Sequence, residues 1–165
     1  PAVAAVATVA RSFGSFQFVS GNKFWYVVRF ATSAVTAATA QRVGLQVGTG
    51  ANTTNDSIYF TRAVDGAVSL VSTVNTTAVT LVPTVLAAGQ GTAYIDVGFY
   101  YNGTNLIVYA ADVMVARIAN VVVQATTAAT AVTNGVLTPF FQETPTAANE
   151  TLSIDYVAVA CEVTR

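Results

Sequence analysis

The chain of 165 residues contains no histidine and a single cysteine, and only 9% of its residues are charged. Histidine is the side chain that titrates between about pH 5 and 8, and it is the most frequent metal ligand. Its absence excludes catalysis by Ser-His-Asp or Cys-His pairs, zinc sites held by histidine and an imidazole pH switch. The single cysteine excludes an intrachain disulfide, and we expect Cys161 to be a small buried apolar residue.

Charge of either sign is scarce as well. Seven basic and eight acidic residues give a net charge of −1. The basic residues are dispersed along the chain, so we expect no surface that neutralises phosphates and no nucleic-acid binding. A membrane-spanning helix needs about 20 consecutive apolar residues. No segment of the chain approaches that length, so we expect no membrane association. A surface of low charge repels itself weakly and favours assembly.

What the chain does contain is 53% hydrophobic residues, with Val, Thr, Ala and aromatics prominent. Apolar residues alternate with a period of two, as in Phe24–Phe30. In this segment the even-numbered residues share one face, and Trp25, Val27 and Arg29 share the opposite face. The same alternation predicts strands over 42–47, 58–63, 68–72, 94–101, 106–109, 113–118, 136–141 and 152–159. Many short strands separated by turns are typical of a sandwich or barrel. The length suits one domain over 1–165.

Turn residues separate these strands. Asp65-Gly66 and Asn102-Gly103 readily adopt positive φ and predict hairpins. With a further turn at Ala111-Asp112, the strands over 94–101, 106–109 and 113–118 form a three-stranded meander. Asn134-Gly135 marks another turn, before the strand over 136–141. The Ala/Thr-rich segments 31–41 and 119–133 show no helical period and are predicted as loops or irregular edge strands. Residues 1–20 are either the first strands of the sandwich or an arm that packs on a neighbour.

Few residues suggest a chemical site, and we expect no catalytic residue, no bound metal and no cofactor. The loop Asn52–Asp56 offers oxygen ligands for calcium, although such a loop is more often only a polar loop. Aromatic side chains that alternate along strands are expected mainly to fill the core. Four of them are candidates for exposed rings that stack on sugars: Trp25, Tyr59, Tyr100 and Tyr109.

The segment Tyr94–Arg117, a strand with an Asn-Gly turn followed by two more strands, resembles the central meander of concanavalin-like (laminin-G-like) jelly rolls. Leu137–Phe141 and Thr151–Val159 resemble the closing strands of that sandwich, and the likeness covers about residues 20–163. It implies an all-β, antiparallel jelly-roll sandwich. The acidic cluster of the glucanases in this superfamily and the metal site of its legume lectins have no counterpart here, which argues against an enzyme.

Within that superfamily, an Ala/Thr/Val-rich chain without histidine resembles capsid decoration (cement) and head-fibre proteins of tailed bacteriophages. This resemblance implies a non-enzymatic virion structural protein on the outer capsid surface. Its partners would be the major capsid protein and copies of itself, as a homo-oligomer. The candidate interface residues are Phe13, Phe16, Phe18, Pro139 and Phe140. The alternative is a carbohydrate-binding, lectin-like module of a tail fibre or spike that uses the four exposed rings.

Overall fold

The structure is a computed structural model that describes residues 7–10, 16–33, 40–48, 56–63, 65–123, 129–144 and 151–162. Every regular element assigned in these ranges is a strand. The strands are β1 Ala7–Ala10, β2 Phe24–Thr32, β3 Ala40–Val47, β4 Ser57–Arg62, β5 Val68–Val74, β6 Thr77–Leu86, β7 Ile95–Tyr101, β8 Leu106–Ala110, β9 Val113–Ile118, β10 Val122–Val123, β11 Ala131–Val132, β12 Leu137–Thr144 and β13 Leu152–Cys161. The described residues include no helix that could span a membrane.

Two antiparallel sheets form the sandwich. The six-stranded sheet has the order β1-β12-β3-β4-β5-β6, and the five-stranded sheet has the order β13-β2-β7-β8-β9. The short strands β10 and β11 form a parallel pair within the segment 119–133. Strands of the two large sheets pair either through a tight turn or with a neighbour distant in sequence, as is usual in antiparallel sandwiches. The predicted all-β, antiparallel sandwich is confirmed.

Alternation along the strands fills the space between the sheets. Phe24, Tyr26, Val28 and Phe30 of β2 are all fully or almost fully buried, whereas Trp25 and Val27 are exposed. Rings from both sheets meet in this core, where Tyr26 of β2 stacks at 6.4 Å on Phe60 of β4. The two sheets share one apolar core. Its side chains on β2 are those that the period of two assigns to the inner face.

The alternation misses strand β6, because its outer positions are largely small or threonine and several of its residues are exposed. It pairs with β5 from Val74↔Thr77 onward. The turn between them is Asn75-Thr76, whose φ values are 49° and 65°. Positive φ at both turn positions matches the twist of an antiparallel hairpin. Asparagine tolerates this region well, so Asn75 was the sequence signal for a hairpin here.

The N-terminal segment contributes strands and core side chains. β1 pairs with β12 from Ala7↔Glu143 to Ala10↔Phe140, and Phe16 forms an isolated bridge with Leu137. The Phe18 side chain is 1% exposed and stacks on Phe24 at 4.4 Å. Of the two alternatives for residues 1–20, the described part therefore fits the first strands of the sandwich. Phe18 packs in the core of its own chain and is wrong as an anchor on a neighbour.

Candidate functional site

The outer face of the five-stranded sheet carries exposed aromatic and apolar side chains on adjacent strands. Trp25 and Val27 of β2 are each 39% exposed, and Tyr156 of β13 is 43% exposed. Trp25 and Val27 point away from the core because their neighbours on β2, Phe24 and Tyr26, point into it. Soluble proteins seldom leave contiguous apolar surface open without a use. This face is the candidate functional site.

Trp25 and Tyr100 form a stacked aromatic pair on that face. The register of β2 and β7 places them directly opposite each other, and their ring centroids lie 5.2 Å apart with an interplanar angle of 21°. Directly paired residues on adjacent strands share a face, so this contact follows from the register itself. The pair is a rigid ring surface, since each ring restricts the other.

Gly98 makes a depression beside the aromatic pair. It faces outward on β7, opposite Tyr109 of β8, and a Cβ atom there would lie 2.5 Å from Val27 Cγ2 and 2.7 Å from the Tyr26 carbonyl oxygen. A side chain at this position would therefore displace its neighbours, and with glycine the sheet surface stays open. The sequence signal was a glycine in the middle of a strand, which often marks a close approach or a ligand surface.

An open groove of about 330 Å³ lies over this region. Side chains that line it are Trp25, Val27, Tyr100, Tyr109 and Asp112. A smaller depression of about 30 Å³ continues from it past Gly98 toward Asp96 and Tyr156. Small-molecule sites typically have volumes of about 300–1,000 Å³. The volume of this groove is at the lower end of that range. We refer to these two neighbouring spaces as the aromatic groove.

Polar groups gather where the smaller depression ends. The Tyr156 hydroxyl donates to Asp96 Oδ1 at 2.8 Å, and Arg29 forms ion pairs with Asp96 at 3.8 Å and with Asp155 at 3.5 Å. The Arg29 guanidinium also lies over the Tyr94 ring at 5.4 Å. The hydrogen bond to Asp96, then burial, raises the pKa of Tyr156. Its phenol therefore stays protonated and holds Asp96 in place.

An ion pair between Lys23 and Glu162 lies at the opposite end of the sheet, near Trp25. Lys23 Nζ lies 3.0 Å from Glu162 Oε1, and the Lys23 backbone N–H donates to Glu162 Oε2 at 2.9 Å. That backbone donor, followed by the ammonium group, lowers the pKa of Glu162. Hydrogen bonding to the carboxylate raises the pKa of Lys23. The groove thus lies between a neutralised pair and the acidic group around Asp96.

Two predicted site residues, Tyr59 and Phe140, lie on the outer face of the six-stranded sheet, and both are buried. Tyr59 is 5% exposed and Phe140 is fully buried, and the two rings meet edge to face at 6.0 Å. With Val71 they form a small second cluster, separate from the main core. Tyr59 is therefore wrong as an exposed stacking ring, and Phe140 is wrong as an exposed interface residue.

The other predicted residues divide between the core, the groove and undescribed parts of the chain. Phe16 and Cys161 are half-buried against the main core, and Pro139 is half-buried in β12. Phe13 lies outside the described residues. Trp25, Tyr100 and Tyr109, which are distant in sequence, come together at the aromatic groove. Three of the four predicted stacking residues thus share one site.

Of the proposed calcium loop, only Asp56 is described, and its carboxylate is already engaged. Asp56 Oδ1 accepts from the Asn75 backbone N–H at 2.7 Å, and Oδ2 accepts from Thr133 Oγ1 at 2.9 Å. These bonds connect the start of β4 to the β5–β6 turn and to the segment after β11. Asn52–Asn55 lie outside the described residues, and the residues that are described contain no group of three or more metal-binding side chains.

Comparison with known proteins gives the fold. No protein-family model and no curated protein sequence matches the chain. Among solved structures it is similar to a glycosidic hydrolase with a TM-score of 0.55 and 13% identity, over 92% of this chain and 88% of that one. It is also similar to a toad ovary galectin in complex with thio-digalactose, with a TM-score of 0.51 and 11% identity, over 95% and 99% of the two chains.

A third similar structure is the alginate lyase of a Corynebacterium species, with a TM-score of 0.52 and 14% identity. The match covers 87% of this chain but only 60% of the lyase. At such identities the likeness describes the backbone architecture and not the chemistry of a site. The order and pairing of the strands, together with these neighbours, show that the chain has the concanavalin-like jelly-roll fold.

Proposed function

We propose that the chain is a carbohydrate-binding protein without catalytic activity, and that the aromatic groove is its binding site. The stacked pair of Trp25 and Tyr100 is the observation that carries this proposal. Pyranose rings present C–H groups on one face, and an exposed aromatic ring packs against such a face with a large apolar contact. The galectin with bound thio-digalactose supports the proposal only as a protein of similar fold.

Polar groups beside the rings complete a site of this kind. Sugar hydroxyls donate hydrogen bonds, and carboxylates accept them without donating. Asp112 lines the groove next to Tyr109, and Asp96 lies in the adjoining depression. Mostly apolar walls with a few placed polar groups are the usual composition of a small-ligand site. The groove is open and shallow, which suits a segment of glycan chain better than an enclosed small molecule.

The charges around the groove favour uncharged glycans. Asp96, Asp112 and Asp155 lie at this surface, and Arg29 is already paired with Asp96 and Asp155. A uronate or sialic acid would bring further negative charge to a surface that is acidic on balance. We therefore expect neutral oligosaccharides to bind and alginate or other polyuronates to bind more weakly or not at all.

The chain carries its own reporter for this test, because Trp25 is its one tryptophan. Intrinsic fluorescence can be titrated with neutral oligosaccharides, such as galactosides, glucosides and mannosides, and with oligo-alginate. A saturable change in emission with a neutral glycan is the expected result. If no member of a broad glycan array changes the emission or is retained by the protein, the proposed function is wrong.

Variants separate the groove from the rest of the surface. Tyr100→Ala should weaken glycan binding by about two- to tenfold, as expected for loss of an aromatic contact worth about 0.5–1.5 kcal/mol. Trp25→Ala, measured by calorimetry, should weaken it at least as much. Val136→Ser is the matched control, because Val136 is 51% exposed and does not line the groove. Equal affinity in all three variants would move the site elsewhere.

A second candidate is the virion structural protein on the outer capsid surface, with the major capsid protein as partner. The observation that favours it is the combination of a net charge of −1 with scattered exposed apolar side chains such as Val113 and Val136. Such a surface loses little on desolvation, and many weak contacts across a lattice add through multivalency. A protein that binds only the assembled lattice stabilises it by mass action.

The copy number of the chain in purified particles from its source tests this second candidate. Hundreds of copies relative to the major capsid protein, counted by quantitative mass spectrometry, would support a lattice-wide role. A handful of copies would fit a fibre or spike that binds glycans through the groove. Absence from particles would exclude the virion role and leave the carbohydrate proposal untouched.

A further inference from the structure

Strand β9 is an exposed edge with an apolar run. It pairs with β8 and forms one end of the five-stranded sheet. Val113, Met114 and Val115 are consecutive in the chain and are 63%, 59% and 40% exposed. A register shift between Val108 and Tyr109 leaves one extra residue on β9. The extra residue interrupts the alternation, and three apolar side chains in a row face solvent.

The edge has little of the usual protection against pairing. Natural edge strands are protected by proline, lysine, inward charges or a bulge that twists the edge away, since their unpaired N–H and C=O groups accept another strand. The edge strand β6 of the other sheet contains Pro83, which has no N–H to donate. β9 contains neither proline nor lysine, and its one charged residue is Arg117. The extra residue is therefore the main protection of β9, and along the rest of the strand an apolar edge stays open to pairing.

Two charges flank this edge with opposite signs. Asp112 precedes β9 in the turn and lines the aromatic groove, so it lies on the outer face. Arg117 pairs with Ile107, an outward position of β8, and so lies on the same face. Among the described residues, neither Asp112 nor Arg117 takes part in an ion pair. Within the described part of the chain, the strand therefore carries an unpaired acid near one end and an unpaired base near the other.

We propose that β9 pairs with β9 of a second copy, antiparallel and related by a two-fold axis. With the axis between Met114 and Val115, each Asp112 lies opposite Arg117 of the other copy and the two apolar runs meet in the middle. An isologous interface of this kind needs a surface complementary to itself, and opposite charges at the two ends of one strand provide it. A different partner would need its own matching arrangement.

The dimer joins the two five-stranded sheets into one continuous sheet. Directly paired residues of adjacent strands share a face, so both aromatic grooves open on the same side. If the carbohydrate proposal also holds, two grooves on one face bind a repeating glycan with higher avidity than one. The dimer itself rests on the edge strand and its charges, independently of what the grooves bind.

Sedimentation velocity over a range of protein concentrations tests this interface. The wild-type chain should pass from monomer to dimer with increasing concentration, and added salt should weaken the dimer because charge pairs hold its ends. Arg117→Glu and Asp112→Lys should each raise the dissociation constant at least about tenfold, since reversal places like charges opposite each other. Val136→Ser, an exposed apolar change elsewhere, should leave it unchanged.

Mixing the two reversed variants gives the decisive result. In the mixed dimer, the Asp112→Lys site of one chain lies opposite the Arg117→Glu site of the other, so opposite charges meet there with their signs exchanged. The native Asp112 and Arg117 that remain pair at the far end. A heterodimer should therefore form from two weakly associating proteins.

Circular dichroism of each variant shows whether its fold is retained. A wild-type chain that stays monomeric at high concentration would overturn the proposal. So would charge reversals that leave the dimer intact, or a mixture of the two folded variants that does not associate. A wild-type chain that dimerises but binds no glycan would count against the carbohydrate proposal alone.

Discussion

The outer faces of the two sheets have a similar pattern of residues and opposite exposure. On the six-stranded sheet, Gly44 lies beside the ring pair of Tyr59 and Phe140, and both rings are buried. On the five-stranded sheet, Gly98 lies beside Val27 and Tyr109, and the neighbouring ring pair of Trp25 and Tyr100 stays accessible. A glycine and an aromatic pair on an outer face therefore identify a packing site in one sheet and a groove in the other.

The difference shows what an alternating pattern encodes. A period of two assigns each residue to the inner or outer face of its own sheet. It contains no information on which outer face is then covered by the rest of the chain. Tyr59 and Trp25 both occupy outward positions in strands, and only the three-dimensional structure separates the buried ring from the exposed one. Substitutions on the two faces test this contrast, beginning with the largest expected effect.

Truncation of the buried ring pair of Tyr59 and Phe140 should be the most destabilising change. Phe140→Ala leaves a cavity in a cluster where the ring is fully buried, and such changes cost about 3–5 kcal/mol. Trp25→Ala removes a larger side chain that is 39% exposed, so it should cost well under half as much. Urea unfolding followed by circular dichroism measures both. Equal costs would mean that the two faces are equally packed.

Alanine at the two glycines should distinguish the faces more finely. At Gly44 the new Cβ would clash with the Ile58 carbonyl oxygen and the Tyr59 backbone, so β4 must shift. Overpacking of this kind costs about 1–3 kcal/mol. At Gly98 the nearest atom is Val27 Cγ2, a side-chain atom that can rotate away, followed by the Tyr26 carbonyl oxygen.

Gly98→Ala should therefore destabilise the protein less than Gly44→Ala, yet it alone should weaken glycan binding, because it fills the floor of the groove. Unfolding midpoints and glycan titrations on the same two variants measure both properties. A Gly44→Ala variant that binds glycan poorly while remaining folded would contradict the placement of the site on the five-stranded sheet.

Much of the fold could be predicted from residue patterns. The alternation within Phe24–Phe30 assigns the residues of β2 correctly to the inner and outer faces of the sheet. Asn102-Gly103 correctly predicts a turn, in which Gly103 has a φ of 95°. Strand β6 was not predicted, because its exposed threonines and Pro83 obscure the period, although Val82 and Val85 of this strand lie in the core. Strands β10 and β11 were not predicted, because the formation of a two-residue strand depends more on its surroundings than on local residue preference.

The candidate site could be predicted only in part. The exposure of Tyr100 and Tyr109 could be predicted from their outward positions in strands. The exposure of Trp25 could be predicted by the same rule. Their convergence with Gly98 and Asp112 depends on the pairing of β2, β7 and β8, which the sequence does not specify. The prediction of Phe18 as an interface residue was wrong for the same reason, since its stacking on Phe24 is a contact between loop and strand.

A change within the shared core serves as the reference for both faces. The Tyr26 hydroxyl is buried and has no hydrogen-bond partner in the described part of the structure, and burial raises the pKa of Tyr26, so the group stays neutral. Tyr26→Phe removes this unpaired donor and should stabilise the protein by about 1 kcal/mol. Thermal unfolding measures the gain, and glycan affinity should not change. A loss of stability would indicate a partner for the hydroxyl.

The smallest expected effect concerns the ion pair at the Trp25 end of the groove. The Lys23 backbone N–H and ammonium lower the pKa of Glu162 below its ordinary value of 4.5. Because the carboxylate is more acidic in the folded chain, its contribution to stability is present above pH 4.5 and is lost as the pH falls through the lower folded value. Both groups are well exposed, so the contribution is small.

Glu162→Gln should therefore lower the unfolding midpoint slightly at neutral pH and leave it unchanged in strong acid, where wild-type Glu162 is itself protonated. Asp65→Asn is the matched control, since it removes one exposed negative charge without breaking an ion pair among the described residues, and the asparagine Oδ1 can still accept from the Ala67 N–H. Midpoints of urea unfolding as a function of pH measure both variants. If the midpoints of Glu162→Gln and the wild type differ most in acid, the sign of the linkage is reversed and the Lys23 contact does not stabilise the folded chain.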